Sequence, residues 1–293
     1  MKIITVKRKK IDYNDYIRRS ALETDYSTLF RESVKLVDAD DGKVKVIYQE
    51  LDLDESEIVA ALKRVKYVEG ERSRGLKSIS RIFGFAPRIE FRQNYCRVTS
   101  LARENPKEHA IICSYAKKVA EIYFKQDPET YLKHEKMAEK VLNEYRIEGT
   151  PFTSGIINKN NPLKYHFDTG NFKDVYSCML AFKKDISGGY LALPEYDCAL
   201  EIRNNSILIF DGQNILHGVT PFKLLSKDAY RYTIVYYSLR RMWECLTVDE
   251  EIARIRNIRQ DIEMRRARGE LAETIVKRAE KLKREGDFGY EVR

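Results

Sequence analysis

The spacing of apolar positions changes along this chain, and the changes mark its organisation. From Asn105-Pro106, residues Ala110, Ile111, Cys113, Ala116, Val119, Ala120 and Tyr123 recur at helical spacing. Asp127-Pro128-Glu129 punctuates the run, and a second helix is expected from Glu129 to about Tyr145. From Thr150 the period shortens. Strand-like runs at 152–158, 175–182, 190–193, 199–202, 206–210 and 232–239 are separated by turn formers such as Asn160-Asn161-Pro162, Ser187-Gly188-Gly189 and Asp211-Gly212. Many short strands at this spacing predict a sandwich or barrel, of which the double-sheet jelly roll, a double-stranded β-helix, is one solution. Two helices ahead of such a block brace one face of a sheet, so the fold class is α+β.

The flanks are less patterned. Residues 1–53 form a polar lead-in with one strand-like run at 44–51 after the turn Asp40-Asp41-Gly42. Asp54 and Glu57 fit a capping box before IVAALKRVKYV, a helix that Gly70 would close. Residues 72–103 contain Gly75, Gly84 and Pro87 and read as loops and short strands. Thr247 and Glu250 fit a second capping box opening a helical stretch that Gly269 breaks into a pair, packing on the domain or on a partner. These boundaries divide the chain into an N-terminal region (1–104), helices plus strand-rich core (105–240) and a helical extension (241–293).

Charge adds one feature. The formal net charge is +8, and residues 63–103 alone hold eleven Lys/Arg against three Glu. Tyr67, Phe83, Phe85, Phe91 and Tyr95 are interleaved with them. Cations among aromatics suit a phosphate backbone with unstacked bases, and the same composition also suits a solvated charged face. From Arg241 onward thirteen Lys/Arg nearly cancel twelve Asp/Glu, so the tail is not a basic arm. No apolar run approaches the roughly 18 residues of a membrane span, and MKIITVKRKKIDYNDY lacks the apolar stretch of a secretory signal. The five cysteines are scattered without a C-x-x-C pair, which predicts reduced thiols in a cytoplasmic protein.

The candidate chemistry lies between Gly149 and Leu239. There are four histidines; His109 and His134 sit in charged helical contexts and read as surface residues. His166 and Asp168 are spaced i, i+2 on an extended segment, so both side chains point to one face and can reach one metal. His217 follows a buried strand in SILIFDGQNILHG, and Arg231 and Thr233 follow in YRYTIVYYSL. Two imidazoles and a carboxylate form the face that holds non-haem Fe(II) and leaves positions open for a cosubstrate and O2. A 2-oxoglutarate cosubstrate needs a cation for its far carboxylate. Arg231 offers a planar fork for it, and Thr233 adds a hydroxyl on the same side of the strand.

With GTPFTSGIIN, HFDTGNF, GGYLALPEY, SILIFDGQNILHG and RYTIVYYSL, residues 149–240 resemble the catalytic core of the TET/J-binding-protein family. NYCRVTSLARENP resembles the family's upstream segment more weakly. The resemblance implies an Fe(II)/2-oxoglutarate dioxygenase that hydroxylates the 5-methyl group of a pyrimidine in DNA. It implies His166, Asp168 and His217 as iron ligands and Arg231 as the 2-oxoglutarate anchor. The short, uninterrupted core looks like the compact phage or bacterial members. Asn171 stands where TET-like members have Asn and thymine-hydroxylating members Asp, which favours 5-methylcytosine; a turn Asn in T-G-N-F is the plainer reading. Arg97 and Asn94 are expected contacts for cosubstrate or DNA. The target base would have to be flipped out, with 63–103 gripping the strand. Thymine hydroxylation, a protein or small-molecule substrate, and a DNA-binding module without turnover remain the rival readings.

Overall fold

The computed structural model describes residues 1–72, 76–88 and 95–269, with backbone alone at 71–72 and 76–78. The N-terminal region supplies β1 (Lys2–Val6), β2 (Thr28–Phe30), β3 (Val34–Asp38) and β4 (Val44–Glu50), then α1 (Ser56–Arg64). A hairpin of β5 (Val68–Arg72) and β6 (Leu76–Ala86) precedes β7 (Arg97–Val98), α2 (Ser100–Glu104), α3 (Pro106–Gln126) and α4 (Pro128–Ala138). The core follows with β8 (Ser154–Lys159), β9 (Ser177–Lys184), β10 (Ile186–Gly188), β11 (Leu191–Leu193) and β12 (Cys198–Leu200). It closes with β13 (Ser206–Phe210), β14 (Gly218–Val219), β15 (Phe222–Leu224), β16 (Tyr230–Tyr237) and α5 (Val248–Ala267).

Two sheets face one another. The large one runs β1-β3-β4-β13-β9-β16-β8-β6-β5, antiparallel except at β1/β3, with β7 added to β6. The smaller one runs β14-β11-β12-β2. Strand alternation divides the core between the faces of the large sheet. On β13, Ile207 and Ile209 pack towards α1 and α3 with Ile58, Leu62, Ile112 and Val119, while Leu208 and Phe210 meet Leu191, Leu193 and Leu200 of the small sheet. All five β13 residues are buried, and each large apolar side chain so placed stabilises by about 1.5–3 kcal/mol. On β16, Tyr230, Tyr232, Ile234 and Tyr236 face the helices, and Arg231, Thr233, Val235 and Tyr237 line the cavity between the sheets. This is the α+β double-stranded β-helix architecture that the pattern predicts, and α3 covers one face of its large sheet.

The departures have local causes. Residues 1–53 are no mere lead-in, since β1, β3 and β4 extend the large sheet beside β13. α1 ends at Arg64, and Gly70 sits inside β5 opposite Ser78 rather than closing a helix. Asp54 accepts from the Ser56 amide at 3.0 Å, without a capping box. The helix after Asp127 stops at Ala138, followed by a 3-10 turn at Asn143–Tyr145. The basic segment holds an eleven-residue strand, β6, where loops and short strands are expected. Three of its described aromatics serve the core, while Tyr95 is exposed: Phe83 is fully buried against Tyr236, Phe85 packs on Tyr145 and Tyr67 stacks on Tyr232. Several of its cations are also spent internally, Arg64 on Glu108 (2.8 Å), Arg81 on Glu104, and Arg88 on Glu251 (3.2 Å).

Cys96 and Cys245 form a disulfide across 149 residues, so two of the five thiols expected to be reduced are not free. The Cα atoms stand 5.7 Å apart because Glu251, in the first turn of α5, accepts from the Cys96 and Leu246 amides and pairs with Arg88. The Thr247–Glu250 capping box forms as expected, and Gly269 follows α5 with φ +76°. The second helix expected after Gly269 lies outside the described residues. No helix among them is long and apolar enough to cross a membrane.

Neither helical histidine is a surface residue. His109 is half-buried, and its Nε2 accepts from the Gly84 amide at 3.1 Å. His134 is fully buried among Tyr123, Phe152 and Phe172. Ser238 Oγ gives its hydrogen to Pro151 O, so His134 Nε2 donates to it at 2.9 Å, while Nδ1 has no partner. Burial holds the His134 pKa down at about 3. Between the unfolded value near 6.5 and about 3, only the unfolded chain takes up this proton, so stability falls as pH falls through that window. From pH 6.5 to 4.5 this group alone should remove about 2 kcal/mol. Urea midpoints at both pH values should differ less in His134→Phe than in the wild type; equal differences would show that His134 does not set the acid limit.

Candidate active site

Three donor side chains converge at the open end between the sheets. His166 and Asp168 lie on the extended segment after Asn161-Pro162, and His217 lies just before β14. The two strands lock together by reciprocal backbone bonds, His166 N to His217 O (3.0 Å) and His217 N to His166 O (3.2 Å). Asp168 N donates to Gly212 O at 2.8 Å. Their ligand atoms all lie within 4.8 Å of one another: Asp168 Oδ1 is 3.8 Å from His166 Nε2 and 4.0 Å from His217 Nε2.

Backbone carbonyls orient both imidazoles. His166 Nδ1 is 2.7 Å from Lys164 O, and His217 Nδ1 is 2.9 Å from Ile215 O. A carbonyl only accepts, so each Nδ1 carries the hydrogen and Nε2 is the nitrogen whose lone pair can bind a metal. The ring centroids stand 4.3 Å apart. Gly212 completes the cradle. A Cβ there would overlap Asp168 Oδ2, stand 3.1 Å from Asp168 Cγ and 3.4 Å from His217 Cε1. Two neutral nitrogens and one carboxylate on one side, with no thiolate, fit Fe(II).

The donors open onto a cavity of ≈ 2100 Å³. Arg231, Thr233 and Asn171 line the same cavity. Arg231 is 5% exposed and makes no ion pair among the described residues; its guanidinium carbon lies over the Phe222 ring, 5.7 Å from the centroid. Burial lowers its pKa to about 10, so it remains cationic at neutral pH. Thr233 is buried, and its Oγ1 accepts from Asn158 Nδ2 at 3.2 Å. Asn171 is no exposed turn residue. It is 8% exposed, and its Nδ2 donates to Ser177 Oγ at 3.0 Å. Arg97 does not join this group; it lies on β7, with Nη1 on Tyr95 O at 3.1 Å. Asn94 lies outside the described residues.

Sequence reasoning misses Gly212 and Glu195. Glu195 is fully buried and accepts from Leu216 N (3.0 Å), Arg8 (2.7 Å) and Tyr13, one residue from His217. A carboxylate inside the apolar run YLALPEYDCAL is the signal that could have found it.

A double-stranded β-helix with this donor set defines the class, the 2-oxoglutarate/Fe(II) oxygenase superfamily. Residues 85–240 match the TET/JBP family, the oxygenase domain of the 2OGFeDO superfamily, and the chain belongs to that family. Thymine dioxygenase JBP1 of Trypanosoma brucei brucei is 25% identical over 168 residues, 57% of this chain and 20% of that protein. JBP1 of Leishmania infantum is 26% identical over 167 residues, 56% of this chain and 20% of its own length. The chain thus spans about a fifth of these curated relatives. The solved structure of NgTET1 in complex with 5mC DNA shares the fold, with a TM-score of 0.52, 15% identity, and coverage of 78% of this chain and 84% of that one.

Proposed function

We propose that this chain is an Fe(II)/2-oxoglutarate-dependent dioxygenase that hydroxylates the 5-methyl group of 5-methylcytosine in DNA to 5-hydroxymethylcytosine. The observation that carries the enzyme class is the convergence, in one cavity, of His166, Asp168 and His217 with a buried cation, Arg231, that has no ion pair among the described residues. The three donors would hold iron, and Arg231 with Thr233 would take the far carboxylate of 2-oxoglutarate. When bound, iron and 2-oxoglutarate supply the O2-derived oxidising power needed to hydroxylate an unactivated C–H. The chain's own residues hold the imidazole tautomers, orient the cosubstrate and exclude bulk water. A methyl group in a stacked base cannot reach donors set inside a cavity, so the base enters flipped.

Support for cytosine comes from Asn171. Its Nδ2 is engaged by Ser177, and Oδ1 accepts no hydrogen bond among the described residues. A free carbonyl at the cavity wall suits the exocyclic amine of cytosine, a donor, and opposes the O4 of thymine, an acceptor. The thymine reading has its own support, since curated relatives are named thymine dioxygenases. Nucleoside mass spectrometry on DNA carrying 5-methylcytosine and thymine, with Fe(II) and 2-oxoglutarate, separates them. 5-Hydroxymethylcytosine is expected, and 5-hydroxymethyluracil would move the assignment to thymine. No product on any DNA would point to a protein or small-molecule substrate.

Asn171→Ala removes the carbonyl that would accept from the cytosine amine and leaves nothing there to oppose the O4 of thymine. The ratio of cytosine to thymine product should fall at least about tenfold, the discrimination of one good base contact. An unchanged ratio would remove Asn171 as the base reader.

A further inference from the structure

Residues 8–19 lie outside the matched oxygenase domain, yet they form part of the cavity mouth. The segment is pinned at several points. Arg8 reaches buried Glu195, Lys9 pairs with Asp197 at 2.7 Å, and Arg19 pairs with Asp25 at 2.8 Å. It also pairs with the strand that carries the first metal donor: Arg18 N donates to Tyr165 O and Tyr165 N donates to Arg19 O, both at 3.0 Å. Tyr13 meets Phe167, between His166 and Asp168 in sequence, edge to face at 5.2 Å.

The segment holds five cations, and its three pinned ones are neutralised by carboxylates. Lys10 and Arg18 are different. Both are exposed and line the cavity, and neither makes a side-chain hydrogen bond or ion pair among the described residues. Asp12, beside them, is spent on the Asn14 amide at 2.9 Å. Arg18 also holds a left-handed backbone, φ +69°, which costs a non-glycine residue about 1–2 kcal/mol. A strained, unpaired cation, fixed by its own amide one residue from a metal donor, is better suited to a ligand than to the fold.

We propose that residues 8–19 form the lip that receives the substrate strand, with Arg18 binding a phosphate next to the flipped nucleotide and Lys10 adding charge. The proposal rests on the DNA reading above and locates its strand contact on the N-terminal segment. Among the described cations of 63–103, Arg64, Arg81 and Arg88 are already paired, and none lines the cavity. An Arg fork matches a phosphate, and phosphate contacts set register without reading sequence.

The test uses the full chain and a 5-methylcytosine duplex, titrated over a range of KCl concentrations. Arg18→Gly removes the side chain and tolerates the positive φ, so folding is preserved. Its affinity should fall roughly fivefold at physiological salt, and the slope of log K against log salt should shrink by about 0.9, one phosphate's worth. KM for DNA should rise while kcat and KM for 2-oxoglutarate stay put, and Arg18→Lys should restore the slope. A merely structural Arg18 would show as lower thermal stability or altered kcat and leave the slope alone, which overturns the lip. Wild-type turnover on DNA with an unchanged slope in the variant overturns the lip only; no DNA binding by the wild type overturns both readings.

Discussion

Gly212→Ala is expected to strip the site of its metal while leaving the fold standing. The added methyl would overlap one oxygen of Asp168 and crowd His217. It cannot be relieved locally, because Gly212 O is held by the Asp168 amide at 2.8 Å and its own amide donates to Phe210 O at 3.1 Å. Asp168 must swing away, and a donor displaced by about 1 Å loses on the order of a hundredfold in rate. Metal affinity should drop by about 10–100-fold, the range for disturbing what holds a ligand in place. Calorimetric titration with Co(II) as probe reads this directly, and the Tm of the metal-free protein should match the wild type. Wild-type Co(II) affinity in the variant would mean that Asp168 has room to spare, and the cradle described here would be wrong.

The donors were legible in the sequence because their chemistry is tied to spacing. An i, i+2 pair on an extended segment shares a face whatever surrounds it, and an Arg two residues from a Thr on a strand does likewise. The core strands were legible for the same reason, and 206–210 coincides with β13. What failed did so where charge hid burial. In β6, Ile79, Arg81, Phe83 and Phe85 alternate on one face, but Gly75, Gly84 and Pro87 make the stretch read as loops and short strands; Glu104 neutralises Arg81 in the fold. In α4, Tyr131, His134 and Ala138 follow helical spacing as expected, but the neighbouring lysines and glutamates made His134 read as a surface residue. The disulfide was invisible because Cys96 and Cys245 meet only through the packing of α5.

These failures bear on function. The +8 carried by residues 63–103 suggested a DNA grip, yet Phe83 is core and three of its arginines close ion pairs within the fold. Composition counts charges; only the structure tells which are already neutralised. The same distinction singles out Arg231, whose charge is buried and unanswered among the described residues.

Arg231→Met should cost the enzyme its cosubstrate and leave the protein more stable. The wild-type guanidinium is 5% exposed, has no carboxylate partner among the described residues, and has its pKa lowered to about 10 by burial alone. Such a charge destabilises the fold unless an anion completes it. Met keeps an unbranched apolar stem without the guanidinium, so the base of the cavity wall is preserved. Two charge-assisted hydrogen bonds to a bound carboxylate are together worth about 3–6 kcal/mol. KM for 2-oxoglutarate should therefore rise at least about a hundredfold by the same arithmetic, with Co(II) affinity unchanged. In the absence of 2-oxoglutarate the Tm should rise by several degrees, and addition of 2-oxoglutarate should raise it further in the wild type only. Arg231→Lys should recover part of the affinity, because an ammonium supplies the charge without the planar fork. A variant with wild-type KM for 2-oxoglutarate would mean that the cosubstrate's carboxylate is anchored elsewhere, and the reading of β16 as the cosubstrate strand would have to be given up.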